Sequence, residues 1–172
     1  MTKDLQKNLK EFLRESNYIE NERSKKAEED AYKAWRFLEN FDELTLPRIL
    51  ETHKILMERI NPFIAGKLRN VRVRVGYHFP PPPDKVERLM ELWVECLGPA
   101  STEEDIKRAP VEFEGIHPFE NSNGRTGRIL MNWQRVKNGF PIEVIYEKEK
   151  DKYYDWFEGE TQFAGKVWAK SV

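Results

Sequence analysis

Cysteine is almost missing from this 172-residue chain, histidine is scarce, and no apolar run approaches the ~20 residues that a helix needs to cross a bilayer. Each shortage excludes something. The one thiol, Cys96, stands among Trp93, Val94 and Leu97 and reads as a reduced core residue, so a reducing cytoplasm is the expected setting. A single cysteine and three scattered histidines do not make a zinc site. The first residues, Met1-Thr2-Lys3-Asp4-Leu5, carry no apolar signal core. An excess of one charge is also missing, because 29 basic and 30 acidic side chains leave a formal net charge of -1. That balance argues against a nucleic-acid partner held by bulk charge and against a polybasic clamp on a membrane. With no internal repeat and no low-complexity linker, residues 1–172 read as one domain, long enough for a substantial core.

What the chain does have is helical periodicity. Leu5, Leu9, Phe12 and Leu13, then Ala31, Ala34, Trp35 and Leu38, recur at helical spacing in a stretch rich in Lys, Glu and Ala. Two helices with a break near residues 20–25 are predicted. Between residues 44 and 57, Thr45 caps a third helix with Pro47 in its first turn, and His53 lies in its apolar stripe as a hydrogen-bonded core histidine. A proline run at 80–83 ends in Asp84, read as the cap of a helix over 86–97 that Gly98-Pro99 closes. Ser101-Thr102-Glu103-Glu104 offers a capping box for the next helix, which passes Pro110 and delivers His117. Between Gly66 and Gly76 the period changes to two: Val71, Val73 and Val75 alternate with Arg72 and Arg74, the mark of a half-buried strand. An exposed edge there could pair with an extended peptide. The expected fold is all-α, a compact helical bundle with one short β-hairpin.

The chemistry concentrates in residues 116–129, Ile-His-Pro-Phe-Glu-Asn-Ser-Asn-Gly-Arg-Thr-Gly-Arg-Ile. A polar loop opens into the periodic run Ile129, Leu130, Trp133 and Val136, with Asn123 as the predicted N-cap and Asn138-Gly139 as the stop. The first turn of such a helix presents unpaired N–H groups and the positive end of its dipole, which suits an anion. Arg125 and Arg128, at i and i+3, place two guanidinium forks on one face above it. His117, just upstream, is positioned in sequence to take a proton from a hydroxyl. A phosphate cradle plus a general base are the parts needed to move a phosphorus-centred group onto an alcohol.

This segment resembles the Fic family signature, H-x-F-x-[DE]-G-N-G-R-x-x-R, through His117, Phe119, Asn123, Gly124, Arg125 and Arg128. The resemblance implies transfer of AMP from ATP, with Mg²⁺, to a Ser, Thr or Tyr hydroxyl of a target protein. It further implies His117 as the base, Asn123, Gly124 and Ser122 with the loop amides around the α-phosphate, Arg125 on the β-phosphate and Arg128 on the γ-phosphate. Two positions depart from the pattern. Asn121 stands where an Asp or Glu usually holds the metal, so only a weak, uncharged oxygen ligand is expected there. Ser122 stands where glycine is usual, adding a Cβ in a loop expected to need positive φ.

Upstream, residues 16–21 resemble the S-x-x-x-E-[GN] motif of self-inhibited members of the family, which implies an N-terminal inhibitory helix around residues 3–21. Ser16 and Glu20 would then face one partner, with Glu20 pairing with Arg128 and obstructing the γ-phosphate. Residues Val71, Arg72, Val73, Arg74 and Val75 resemble the flap on which the target protein docks. Tyr153, Tyr154, Trp156 and Phe157 read as core, with Asn132 or a tyrosine of that tail a candidate adenine contact. Two rival readings stand beside transfer of AMP: an ATP-binding regulatory module with impaired or no transfer, and a relative that transfers another phosphate-containing group.

Overall fold

The structure, a computed structural model, describes residues 3–76, 78–97 and 102–157. Regular structure among them is helical: α1 (Lys3–Ile19), α2 (Lys25–Leu38), α3 (Leu46–Met57), α4 (Pro83–Cys96), α5 (Glu103–Ile116), α6 (Asn123–Lys137) and the short α7 (Lys150–Tyr154), with 3-10 turns on either side of α7. No described helix is long and apolar enough to cross a membrane. The predicted break after the first helix is present. Asn21 turns left-handed at φ 57°, a conformation that asparagine tolerates better than most residues, and Ser24 caps α2 by accepting the Ala27 N–H.

At the centre lies α6, twelve of whose fifteen residues are buried. A helix buried all round is usually apolar, yet this one carries Arg125, Thr126, Arg128, Asn132, Gln134 and Arg135 inside. Their partners therefore define the architecture. The apolar face, Ile129, Leu130 and Trp133, joins Phe12 and Leu13 of α1, Trp35 and Leu38 of α2, Ile49 and Leu56 of α3, Met90 and Trp93 of α4 and Phe113 of α5 in one core cluster. Trp133 anchors its indole by donating Nε1–H to the Leu38 carbonyl at 3.0 Å. A smaller cluster, Ile19, Ile106, Met131, Ile145 and Tyr153, seats the last helix against α1 and α6.

Polar side chains fasten the remaining edges. Arg135 donates to the Pro141 carbonyl at 2.7 Å and pairs with Glu103 and Glu143. Glu11 accepts from the Tyr146 hydroxyl, Glu15 accepts from the Glu147 N–H, and Arg23 pairs with Glu147 at 2.6 Å, so α1 and residues 146–147 are tied together.

Several local expectations shift. Asn123 is the first residue inside α6 rather than its cap; Ser122 holds the N-cap position, left-handed at φ 63° and without a side-chain capping bond. Asp84 sits in the first turn of α4, where Pro82 and Pro83 start the helix without a side-chain cap. The capping box of α5 lies one residue later than predicted, formed by Thr102 and Asp105. Thr45 with Pro47, and Asn138 with Gly139 at φ 80°, act as predicted. Cys96 is exposed, not core: it is the last residue of α4, beyond the end of the buried stripe Val86, Leu89, Met90 and Trp93. Gly98 and Pro99 lie outside the described residues.

The hairpin is reduced to one antiparallel bridge, Val75 with His78, closed by two backbone hydrogen bonds of 3.0 and 2.9 Å around Gly76. Val71 and Val75 are exposed, so the alternation has no buried face to serve. Tyr77 is outside the described residues.

Asn132 is fully buried and uses its amide on the backbone of Glu143, donating to the carbonyl at 3.1 Å and accepting the N–H at 2.7 Å. It is a structural strut, not an open hydrogen-bonding edge for a base. Replacing it with alanine strands both backbone groups, and urea unfolding of Asn132→Ala is expected to show a loss of about 1–3 kcal/mol.

Candidate active site

The loop of residues 117–122 is shaped from three sides. Asn123 closes it from below, accepting the Phe119 N–H at 2.9 Å and donating to the Phe119 carbonyl at 2.8 Å. Thr126 adds a second tie, its hydroxyl donating to the Ser122 carbonyl at 2.8 Å. These bonds hold Ser122 in the left-handed conformation expected of the glycine it replaces.

From α3, His53 lies parallel to Phe119, with ring centroids 3.7 Å apart. Its Nδ1 accepts the Gly66 N–H at 3.0 Å, which leaves Nε2 to donate to the Asn121 carbonyl at 3.1 Å. The ring is therefore neutral by construction. Burial, outweighing the Asn121 contact, and the nearby Arg125 charge lower its pKa to about 4.

From the segment before the hairpin comes Arg69, which the sequence reading did not single out. It is buried and its partners are carbonyls: His117 at 2.7 Å, Ile116, Val71 and Pro81. Its own N–H donates to the Pro118 carbonyl. One guanidinium thus ties both ends of the hairpin segment to the histidine that ends α5. Burial pushes its pKa below the ordinary value. Its sequence signal was submerged among the neighbouring exposed arginines.

His117 itself is the C-cap of α5, left-handed at φ 50° and ψ 62°. A second residue missed from sequence adjoins it: Glu114 Oε2 is 3.3 Å from His117 Nδ1. The spacing of three along a helix was the available signal. His78 donates from Nε2 to the Gly115 carbonyl at 3.2 Å.

Both signature arginines are inside. Arg125 contacts Met57 Sδ through Nη2, while its Nε and Nη1 have no protein partner, and burial lowers its pKa. Arg128 is fully buried and reaches α1 instead. Its Nε donates to Ser16 Oγ, and its Nη2 donates to both the Ser16 carbonyl and Glu20 Oε1, all at 2.9 Å. The sequence-predicted pair Ser16 and Glu20 therefore meets the sequence-predicted arginine across 112 and 108 residues. Gly124 makes room for this: a Cβ there would collide with Glu20 Oε1 and come within 2.9 Å of Arg128 Nη1. The carboxylate lies on the first turn of α6, where backbone dipoles favour an anion.

The donor set does not suit a resident Mg²⁺. The Asn121 Oδ1 already accepts the Ser122 N–H at 2.6 Å, and no group of three or more His, Cys, Asp or Glu suited to a metal occurs among the described residues. Arg72, Arg74, Val71 and Val75 stand exposed on the far side of the Arg69 tie.

The profile of the Fic/DOC family matches residues 43–134, from just before α3 through most of α6. The chain belongs to the Fic/DOC family. Within curated proteins, the "Protein adenylyltransferase Fic" of Culex quinquefasciatus and that of Aedes aegypti are each 33% identical over 125 residues, which is 68% of this chain and 24% of theirs. The chain thus spans about a quarter of the length of those relatives. Among solved structures, Fic-1 from C. elegans superposes with a TM-score of 0.77 at 21% identity, covering 97% of this chain and 62% of that one. A Fic family protein from Desulfovibrio desulfuricans gives 0.77 at 22%, covering 95% and 60%. These two establish the all-α fold, and the family match begins downstream of the Glu20 helix.

The buried neutral His53 makes a pH prediction. Its folded pKa lies below the ordinary value of about 6.5, so its contribution is complete above that pH and is lost as pH falls toward 4. Urea titrations at pH 7.5 and pH 4 should show wild type losing about 3 kcal/mol more than His53→Gln over that window.

Proposed function

We propose that this Fic domain is a protein adenylyltransferase, moving AMP from ATP to a Ser, Thr or Tyr hydroxyl, and that Glu20 restrains it. The observation that carries the reading is the pair of buried guanidinium groups on the first turns of α6, one with two donors lacking protein acceptors and the other held by a carboxylate from the residue after α1. Two such cations beside a helix N-terminus are matched to a polyphosphate. The curated relatives' shared name supports the same reaction.

In this reading the triphosphate lies over the start of α6. Arg125 grips the β-phosphate, Arg128 the γ-phosphate, and Ser122, Asn123 and Gly124 with their amides surround the α-phosphate. A target segment extends along Val71, Arg72, Val73, Arg74 and Val75. Its hydroxyl gives its proton to His117 while the oxygen attacks the α-phosphorus; the bond to the bridging oxygen breaks, and pyrophosphate leaves with the electron pair. Mg²⁺ arrives as the counter-ion of ATP, Asn121 adding an uncharged oxygen at most. No step here depends on that ligand. A reducing, cytoplasmic setting belongs to the same reading, since Cys96 is an exposed free thiol without a second cysteine in the chain.

Glu20 and a γ-phosphate would compete for one face of Arg128. The carboxylate is a little over a third exposed, so water screens the pair and its displacement is affordable. Glu20→Gly is expected to raise transfer of labelled AMP by about 5- to 150-fold, the effect of a coupling of about 1–3 kcal/mol. Adding His117→Ala should reduce the label to background. No labelling by Glu20→Gly, on itself or in lysate, would overturn the reading.

A second reading rests on Asn121, whose amide oxygen is spent on its neighbour's N–H. It is a nucleotide-binding module with impaired transfer. In the Glu20→Gly background, a large rate gain on Asn121→Asp would support that reading; equal, robust transfer by both proteins would favour the working enzyme.

A further inference from the structure

Glu114 is hard to explain by stability. It lies on the last turn of α5, is mostly buried, and has one oxygen, Oε1, with no hydrogen-bond partner in the protein. That oxygen lies 3.6 Å from where a Cβ on Gly127 would stand, against the second turn of α6. A half-satisfied buried carboxyl costs about 1–3 kcal/mol or more. Apolar neighbours such as Phe113 would fill the space at no such cost. What the carboxyl gains is its other contact, Oε2 at 3.3 Å from His117 Nδ1, a buried nitrogen that makes no hydrogen bond in the protein and has this carboxylate within ion-pair distance. Arg128 of α6 also interacts with the Glu114 charge, as do Tyr153 and Tyr154.

The geometry points to Glu114 as the positioning residue of the base: its carboxylate accepts Nδ1–H of His117 and so keeps the lone pair on Nε2, facing the reaction. The inference rests on the adenylyltransferase reading for its purpose, though not for its test. Nε2 takes the hydroxyl proton as the target oxygen bonds to the α-phosphorus and pyrophosphate departs. The imidazolium so formed holds a proton on each nitrogen, with the carboxylate beside it offsetting the new charge. At 3.3 Å the two groups stand within ion-pair distance but short of hydrogen-bond geometry, and such contacts commonly align and tighten once substrate is in place.

The molecule supplies its own reference. Of its three histidines, His53 accepts at Nδ1 from the Gly66 N–H, and His78 lies with Nε2 on a carbonyl, so both are Nε2–H tautomers. His117 alone should be Nδ1–H. Two-bond ¹H–¹⁵N correlation spectra of the wild-type protein at about pH 8, where an ordinary imidazole is neutral, distinguish the two forms directly. Each histidine is assigned by its own His→Asn variant.

The expected result is one Nδ1–H pattern, from His117, and two Nε2–H patterns. In Glu114→Leu the His117 pattern should move toward Nε2–H while those of His53 and His78 stay fixed. In the Glu20→Gly background the same change should lower kcat by about 10²- to 10⁴-fold with ATP affinity unchanged, and Glu114→Gln, which keeps an acceptor, should recover part of that loss. An Nε2–H pattern for His117 in the wild type overturns the assignment, as does an Nδ1–H pattern that survives Glu114→Leu. Should Glu114→Leu fail to fold, the wild-type tautomer decides alone. An Nδ1–H pattern together with no detectable transfer in any background would leave Glu114 as the orienting group and overturn the transferase reading instead.

Discussion

Arg128 carries its charge at the centre of the protein, none of it open to solvent, and everything around the site answers to that. Such a group needs an anion or strong dipoles against it to offset the loss of its hydration. Here Ser16 and Glu20 perform that office. α1 is consequently more than a packing element: its C-terminal turn completes the charge balance of a helix more than 100 residues away. On the proposed reading, ATP would be admitted only by taking over part of that balance, which makes nucleotide and α1 alternatives at one cation.

The rest of the site is arranged so that few other charges compete there. His53 is kept neutral by an accepted hydrogen bond at Nδ1, and it supports the Asn121 carbonyl without adding a cation beside Arg125. Arg69 does carry charge deep inside, but its donors are turned onto four carbonyls, away from α6. That leaves Arg125 with two unspent donors, Nε and Nη1, and Arg128 with one, Nη1. Polar groups in the interior of this fold are thus divided between those that brace the loop and those held for a ligand.

Much of this was legible in the residue order. Helices α1 to α6 follow from periodicity and caps, because each buries a continuous stripe and starts or stops at residues with a local reason to do so. The His117, Arg125 and Arg128 constellation and the Ser16 and Glu20 pair were visible because their spacings are short and fixed. What failed had causes of a different range. The hairpin was over-read at Val71 to Val75 because alternation marks a strand only when one face is buried, and nothing packs there. Cys96 was placed in the core by its neighbours' hydrophobicity, whereas its position at the end of α4 turns it outward. Arg69 looked like one more solubilising arginine, since the carbonyls it gathers come from segments up to 48 residues away. Asn123 was taken for a cap because its side chain does bond the backbone, but four residues back, to Phe119, rather than forward.

The ties between α1 and the segment at 146–147 carry a temporal consequence. The side-chain hydrogen bonds of Glu11, Ser16 and Glu20 and the bond Glu15 accepts from the Glu147 N–H reach residues made much later, from 108 to 135 positions downstream. During synthesis these anchors have no partner until α6 and then Glu147 have been made. The loop and the first turn of α6 can therefore form before Glu20 is seated on them, and the contacts seated last are those with the largest loop-closure cost and the least local reinforcement. Such contacts are also the first to open in a folded molecule, so the order of assembly, run backwards, is the order in which the protein would unlock.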